Sequence, residues 1–359
     1  MDIRTQRLGK TLVRYSIKAQ EKETIAVQAP LVAEPLVEAV YEELLKAGAY
    51  PVVQMVPDRC SELLYQHGKA QHFDTLSPYQ KAYARSIDGI IRIAGSSNTR
   101  ALSRVDPKKQ ARISKASKPV REQIIQKKWA ITLFPTQAHA MDADMSLTDF
   151  EDFVYQATFC DHQNPIASWK ALKKRQDKLI AKIKGAQEVR IVGPDTDLTM
   201  SVKGRTFINS PGTHNMPSGE IFTGPVETSA DGFIRYDFPV CHGGREVDGI
   251  RLVFRKGKVV EASAEKNEKF LLAMLDMDPG ARRLGELGIG TNFGIQRFIK
   301  NILFDEKIGG TIHLALGQSY AETGGVNKSA LHWDMIKDLR KGGTLYVDGK
   351  VFQKNGRFV

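Results

Sequence analysis

The sequence predicts an α/β N-terminal domain with a mainly parallel sheet over residues 1–186, followed by an α+β domain over residues 187–359. Three observations carry this. The length, 359 residues, suggests about two domains at roughly 100–200 residues each. Up to residue 134, short apolar runs alternate with a stretch of helical spacing, the pattern of β-α-β units. Near Ala186 the texture changes to short strands separated by turns.

The elements follow in order. Residues 25–29 are a short apolar run and read as a strand. Over residues 31–46 the apolar positions Leu31, Val32, Leu36, Ala39, Val40, Leu44 and Leu45 recur at helical spacing, and Gly48 stops the helix. Residues 50–56, 89–94 and 129–134 read as further strands. This layer carries no GxGxxG loop, so its fold class does not imply a dinucleotide site. Residues 146–186 read as helical, with Ser146 as N-cap and Asp149 three residues on. Trp169, Leu172, Leu179, Ile180 and Ile183 mark the core face of this region. Beyond it, residues 189–192, 198–202 and 249–254 read as strands and residues 265–275 as a helix.

Composition removes several function classes. Hydrophobic residues at 42% and charged residues at 26% place the chain among folded globular proteins. No run of about 18 apolar residues exists to span a membrane. Residues 1–7 lead into no apolar stretch, so no secretory signal is expected. Cys60, Cys160 and Cys241 are far apart and form no CxxC pair, which argues against a disulfide framework and a thiolate zinc site. The expectation is a reduced, cytoplasmic protein. The net charge of +11 is concentrated at residues 100–128 and 170–184. Such patches can bind nucleic acid or simply form solvated helix faces. No nucleic-acid-binding signature accompanies them, and the solvated face is the preferred reading.

Histidines and carboxylates gather in four short segments of the second domain, 215–220, 284–292, 310–317 and 327–334. In a strand, residues two apart share a face, so His332 and Asp334 would point together with Trp333 turned into packing. An imidazole and a carboxylate so placed can hold zinc or cobalt. His313 sits in an otherwise apolar strand, followed by Gly317 and by Gly324-Gly325, whose flexible backbone lets loops approach closely. Glu286 lies amid Gly285, Gly288 and Gly290, a density of glycine that a strand or helix interior would not be expected to tolerate. Glu220 follows Gly219 in the same manner. Bland readings compete at each position: a buried His–Asp hydrogen bond, a satisfied core histidine, solvated turn glutamates. Together the five residues suit two divalent ions with open positions and one bridging carboxylate, the donor set of a metallohydrolase.

These segments, in this order, resemble the thermophilic aminopeptidase T and aminopeptidase S family. The matching strings are Asn215–Glu220, LGELGIGTN from Leu284, DEKIGGTIHLALG from Asp305 and GGVNKSALHWDMI from Gly324. The likeness extends upstream through WAITLFPTQAHA from Trp129 and covers nearly the whole chain. It implies a two-metal aminopeptidase acting on peptides, with cobalt or zinc as the ions and manganese or magnesium as alternatives, and a homodimer as the assembly. It carries the metal ligands onto Glu220, Glu286, His313, His332 and Asp334, and a catalytic tyrosine onto Tyr320. Glu286 is expected to bridge the ions as part of the catalytic machinery. Asp305 or Glu306 could supply the acceptor for an imidazole's second nitrogen, with a surface turn as the slightly preferred reading of that pair. Alternatives from other classes are another metal-dependent hydrolase, an amidase or phosphoesterase, and a basic nucleic-acid-binding protein. A phosphoesterase would place Arg or Lys beside the metals, and the motif segments carry only Lys307 and Lys328.

Overall fold

A computed structural model describes residues 1–242 and 245–359. By contact the chain divides into two units, one made of Met1–Trp169 with Gly212–Pro217 and the other of Lys170–Pro211 with Ser218–Val359.

The first unit is built on a five-stranded parallel sheet in the order Tyr50–Val56, Thr24–Pro30, Gly89–Ala94, Lys128–Leu133, Asn215–Met216. The α/β expectation is met here. Ile25, Ala26 and Val27 are all buried, because an inner parallel strand is covered on both faces and so reads as continuous hydrocarbon. Tyr50–Val56 is the edge strand and is largely exposed. The first long helix runs Glu34–Lys46 after a 3-10 turn at Leu31–Ala33. It starts later than the apolar spacing implies because Pro35 lacks an N–H and fits only the first helical turn. The region 146–186 holds not one helix but two, Leu147–Ala157 and Pro165–Lys182. Ser146 does cap the first, accepting the Asp149 N–H at 3.1 Å. Phe159 enters the left-handed region at φ 58°, and Pro165 opens the second helix, so the intervening residues cannot continue the first.

Much of the basic segment 100–128 lies on the helix Pro107–Ile125. Several of its charges are committed: Arg112 pairs with Asp74, Arg100 with Asp142, and Lys128 with Glu23. Among the described residues no helix is long and apolar enough to cross a membrane.

The second unit contains an eight-stranded antiparallel sheet and a five-stranded antiparallel sheet. The five-stranded sheet runs His332–Asp338, Thr311–Gly317, Leu284–Gly290, Glu220–Thr223, Ile208–Ser210. Leu287, Ile289, Ile312, Leu314, Leu316, Trp333 and Met335 join one apolar cluster with Ile191, Leu198, Leu252 and Leu345 of the larger sheet. Two sheets therefore share a core, as paired antiparallel sheets must if each is apolar on one face. A bulge between Leu284 and Glu286 interrupts the pairing with the histidine strand Thr311–Gly317. There Leu284 pairs with Leu316, whereas Glu286 pairs with Ala315.

Leu314 is fully buried in this shared core. Leu314→Ala is expected to destabilise the chain by about 2–5 kcal/mol, read as a lowered denaturant midpoint at unchanged slope.

Candidate metal centre

Each of the four sequence segments reaches one of four neighbouring strands of the five-stranded sheet, the first through Glu220 alone because Asn215–Met216 belongs to the parallel sheet, and the pairing puts their functional groups on one face. Glu286 and Asp334 both pair with Ala315, His313 pairs with Gly288, His332 with Gly317, and Glu220 with Gly290. Directly paired residues point to the same side, so this face carries the acids, the imidazoles and several very small residues, with Phe222 and Ile336 beside them, while the opposite face is the apolar core.

The polar atoms form a chain. His313 Nε2 lies 3.4 Å from Glu220 Oε2 and 3.4 Å from Glu286 Oε1. His332 Nε2 lies 3.4 Å from Glu286 Oε2 and 3.5 Å from Asp334 Oδ2. Glu286 thus sits between the imidazoles with one oxygen toward each, which is what a bridging carboxylate requires. Donor atoms of Glu220, Glu286 and His313 lie within 4.8 Å of one another, as do those of Glu286, His332 and Asp334. Tyr320 stands at the edge of the cluster, its ring 5.2 Å from that of His332 and edge-on to Phe222. The structure brings all six of the singled-out residues together.

Each imidazole is oriented by a backbone carbonyl. His313 Nδ1 donates to the carbonyl of Glu306 at 3.1 Å, and His332 Nδ1 to that of Gln318 at 2.9 Å. With Nδ1 carrying the proton, a neutral ring offers Nε2 to a metal. Of Asp305 and Glu306, one does contact an imidazole, though not through its carboxylate. It is the Glu306 main chain that serves, while Asp305 accepts the N–H groups of Ile299 and Asn301 and holds its own turn together.

The glycine argument is also corrected. Leu284–Gly290 is a fully buried strand despite its glycines. A Cβ at Gly288 would stand 1.9 Å from the His313 ring, and one at Gly285 would stand 2.4 Å from the Gln318 carbonyl oxygen. Close approach to neighbouring groups, the histidine above all, excludes side chains there and overrides the poor strand preference of glycine.

Three further residues complete the site. Lys307 is buried, donates to Glu220 Oε1 at 2.6 Å and also bonds Glu306. A lysine therefore does stand beside the cluster, contrary to the sparse basic content of the motifs. Glu306 reaches the cluster too, with a carboxylate oxygen within 4.8 Å of donor atoms of His313 and Asp334. Gln176, on the helix Pro165–Lys182, donates to the backbone carbonyl of Glu220 and to Thr291 Oγ1, both at 2.9 Å. Lys307 was visible as the one cation in the turn before the His313 strand. Nothing in the spacing of Gln176 reveals its role.

Burial pushes the carboxyls of Glu220 and Asp334 up, with Lys307 and His332 respectively pulling them back. For Glu286 burial acts in the same sense but is outweighed by hydrogen bonds from His313 and His332, which hold it down at about 2. Burial would lower both imidazoles. The carboxylates around them prevail and raise His313 to about 9 and His332 to about 10. The Tyr320 phenol is pushed far up by burial and by the charges of Glu286 and Asp334, so it keeps its proton.

A divalent metal fits these residues on an independent observation. Glu220 Oε2 and Asp334 Oδ1 are buried and make no hydrogen bond among the described residues. Buried carboxylate oxygens without a donor are costly, and Glu220 Oε2 faces the cluster where a cation would lie, 3.4 Å from His313 Nε2. The donors are mixed nitrogen and oxygen with no thiolate, the set that suits zinc, cobalt or manganese.

Comparison with known proteins shows the family of the chain. The profile of the thermophilic metalloprotease (M29) family matches residues 1–358. Aminopeptidase T of Thermus thermophilus is 28% identical over 99% of this chain and 98% of its own. Aminopeptidase 2 of Geobacillus stearothermophilus is 28% identical over 90% of this chain and 89% of its own. The structure of wild-type AmpT from Thermus thermophilus aligns with a TM-score of 0.87 over 99% of both chains at 24% identity, which shows a common fold. The chain belongs to the thermophilic metalloprotease (M29) family and is a peptidase.

Two outcomes test the site. Gly288→Ala should displace the His313 ring, lowering both the melting temperature and the metal retained after dialysis. The second is a proton balance. In the metal-free chain the imidazole pKa values are raised above 6.5. The stability they lend is therefore complete below that value and lost as pH rises through about 9 to 10. At neutral pH both rings are then charged, and adding zinc in weak buffer should release about two protons per chain. A pH indicator dye reads this, and no release would mean that the rings were already neutral.

Proposed function

We propose that the chain is a metal-dependent aminopeptidase that hydrolyses the first peptide bond of peptides, with two divalent ions held by Glu220, Glu286, His313, His332 and Asp334. The observation that carries the reading is the position of Glu286, one oxygen toward each imidazole. It stands in a chain covered over nine-tenths or more by relatives named aminopeptidases. When bound, two divalent ions would supply an acidified water and a polarised carbonyl.

The chain's own residues divide the remaining work. Glu220 with His313 and His332 with Asp334 form the two halves, and Glu286 joins them. Lys307 occupies Glu220 Oε1 and so leaves that carboxylate a single oxygen, Oε2, for the centre. The carbonyls of Glu306 and Gln318 hold the rings in the tautomer that presents Nε2. Tyr320, protonated and at the edge of the cluster, donates to the substrate oxygen as negative charge develops there. The surrounding carboxylates attract the α-ammonium that marks a peptide's free N-terminus.

Lys307 does not favour a phosphoesterase. Its ammonium is buried and spent on Glu220 and Glu306, so no phosphate can reach it. The mixed donor set suits zinc, cobalt or manganese, and the family resemblance favours zinc or cobalt. A homodimer follows from the same resemblance, and a cytoplasmic setting from three cysteines far apart in the chain with no CxxC motif.

Chelation should abolish hydrolysis of leucyl-p-nitroanilide, and zinc or cobalt should restore it with about two ions per chain by mass spectrometry. In His332→Ala the restored rate should fall on the order of 10²–10³-fold, the usual loss when one charge-stabilising group is removed. A metal-free chain that stays inactive with added cobalt would overturn the reading.

A further inference from the structure

A cavity of about 280 Å³ opens directly beside the cluster, with His332 and Asp334 among its lining residues. Its walls include Val240, Phe298, Ile302 and Ile336. Phe298 is braced by a parallel stack on Phe238, ring centroids 4.8 Å apart, so this wall is held in place. Asp305 also borders the cavity, but both its oxygens accept main-chain N–H groups, at 2.8 Å from Ile299 and 2.7 Å from Asn301. Its oxygens are directed into the turn. Of the remaining polar lining residues, Asn301 accepts the Leu303 N–H on its Oδ1 at 3.2 Å, and Lys300 is exposed.

We infer that this cavity receives the side chain of the substrate's N-terminal residue and selects apolar residues of leucine to phenylalanine size. The inference rests on the aminopeptidase reading above. On the N-terminal side of the scissile carbonyl, an aminopeptidase substrate has only an ammonium group and one side chain. The leaving peptide, by contrast, continues at roughly 3.3 Å per residue and needs an open groove. The cavity is smaller than the roughly 300–1,000 Å³ sites that enclose drug-sized ligands, so it suits one side chain and not a continuing chain. Val240, Phe298, Ile302 and Ile336 offer hydrocarbon and no hydrogen-bonding side-chain group. A polar substrate side chain set against this hydrocarbon wall would be desolvated there, whereas an apolar one is matched.

The experiment is a panel of glycyl, alanyl, leucyl, phenylalanyl, glutamyl and lysyl p-nitroanilides on the metal-loaded chain and on Ile302→Trp. Ile302 is 46% exposed, so a larger residue can be accommodated without disturbing the fold while filling the cavity from its wall. In the unaltered chain, kcat/KM for leucyl and phenylalanyl substrates should exceed that for glycyl by at least about tenfold. In Ile302→Trp the leucyl-to-alanyl ratio should fall by about tenfold. A readout without turnover comes from Cys241, which borders the same cavity. In the metal-free chain, L-leucinamide should slow iodoacetamide labelling of Cys241 while glycinamide does not, with exposed Cys60 as the internal control. Hydrolysis with a flat profile, a ratio unmoved in Ile302→Trp, or equal labelling with both amides overturns the cavity assignment and leaves the aminopeptidase reading standing. Failure to hydrolyse any member of the panel overturns that reading and the assignment with it.

Discussion

Five ionisable side chains share one face of this sheet because most of the residues paired with them take little room. In antiparallel strands, directly paired Cβ atoms stand about 4.5–5.5 Å apart, so an ordinary side chain at the partner position would occupy the space in which the functional groups converge. Here the partners are Gly288, Gly290, Ala315, Gly317 and Ser210, with Ile336, across from His313, the one large exception. The His313 ring lies over Gly288 where a Cβ would stand. The same strands present Leu287, Ile289, Ile312 and Leu314 to the core, so stability comes from one face and chemistry from the other. Hydrocarbon burial anchors the sheet that the polar face alone could not hold.

That face is electrostatically demanding. Glu220, Glu286 and Asp334 are withdrawn from water to different degrees, with Glu306 close by. Lys307, itself buried, is the one lysine bonded to the group among the described residues. Isolated buried charges are expensive, and breaking a pair costs more than forming it yields. The metal-free chain balances its carboxylates with protonated imidazoles, and bound cations would release those protons. Metal affinity and folding stability are therefore coupled through the same two rings. Lys307 also makes the two halves of the cluster unlike, because it neutralises the Glu220 half and not the Asp334 half.

Much of this was legible in the sequence, for identifiable reasons. Two-residue spacing put His332 and Asp334 on one face, and the strand carrying them confirms that periodicity. The inner strands of the parallel sheet announced themselves as apolar runs. Leu284–Gly290 was harder, because local preference disfavours glycine in strands and the deciding contact, with His313, is 25 positions away in the chain. The partners of the imidazole Nδ1 atoms are main-chain carbonyls, which every residue possesses and no motif can mark. Gln176 reaches Glu220 from a helix 44 positions earlier, a relation that only the tertiary fold creates. The basic segment 100–128 looked uniform, yet Arg100, Arg112 and Lys128 each pair with an acid distant in sequence.

The bulge at Gly285 has a consequence for how such a chain can change over evolutionary time. In an unbroken strand Leu284 and Glu286 would share a face. The extra residue sends Leu284 toward the core and Glu286 toward the imidazoles. An insertion or deletion of odd length within any of the four strands would perform the same exchange in reverse, moving an acid into hydrocarbon and an aliphatic group into the polar cluster. Length variation among related chains should accordingly gather in the connecting loops, such as the one between Tyr320 and His332. Within the strands, drift is confined to replacing one residue by another, with the number of residues held fixed.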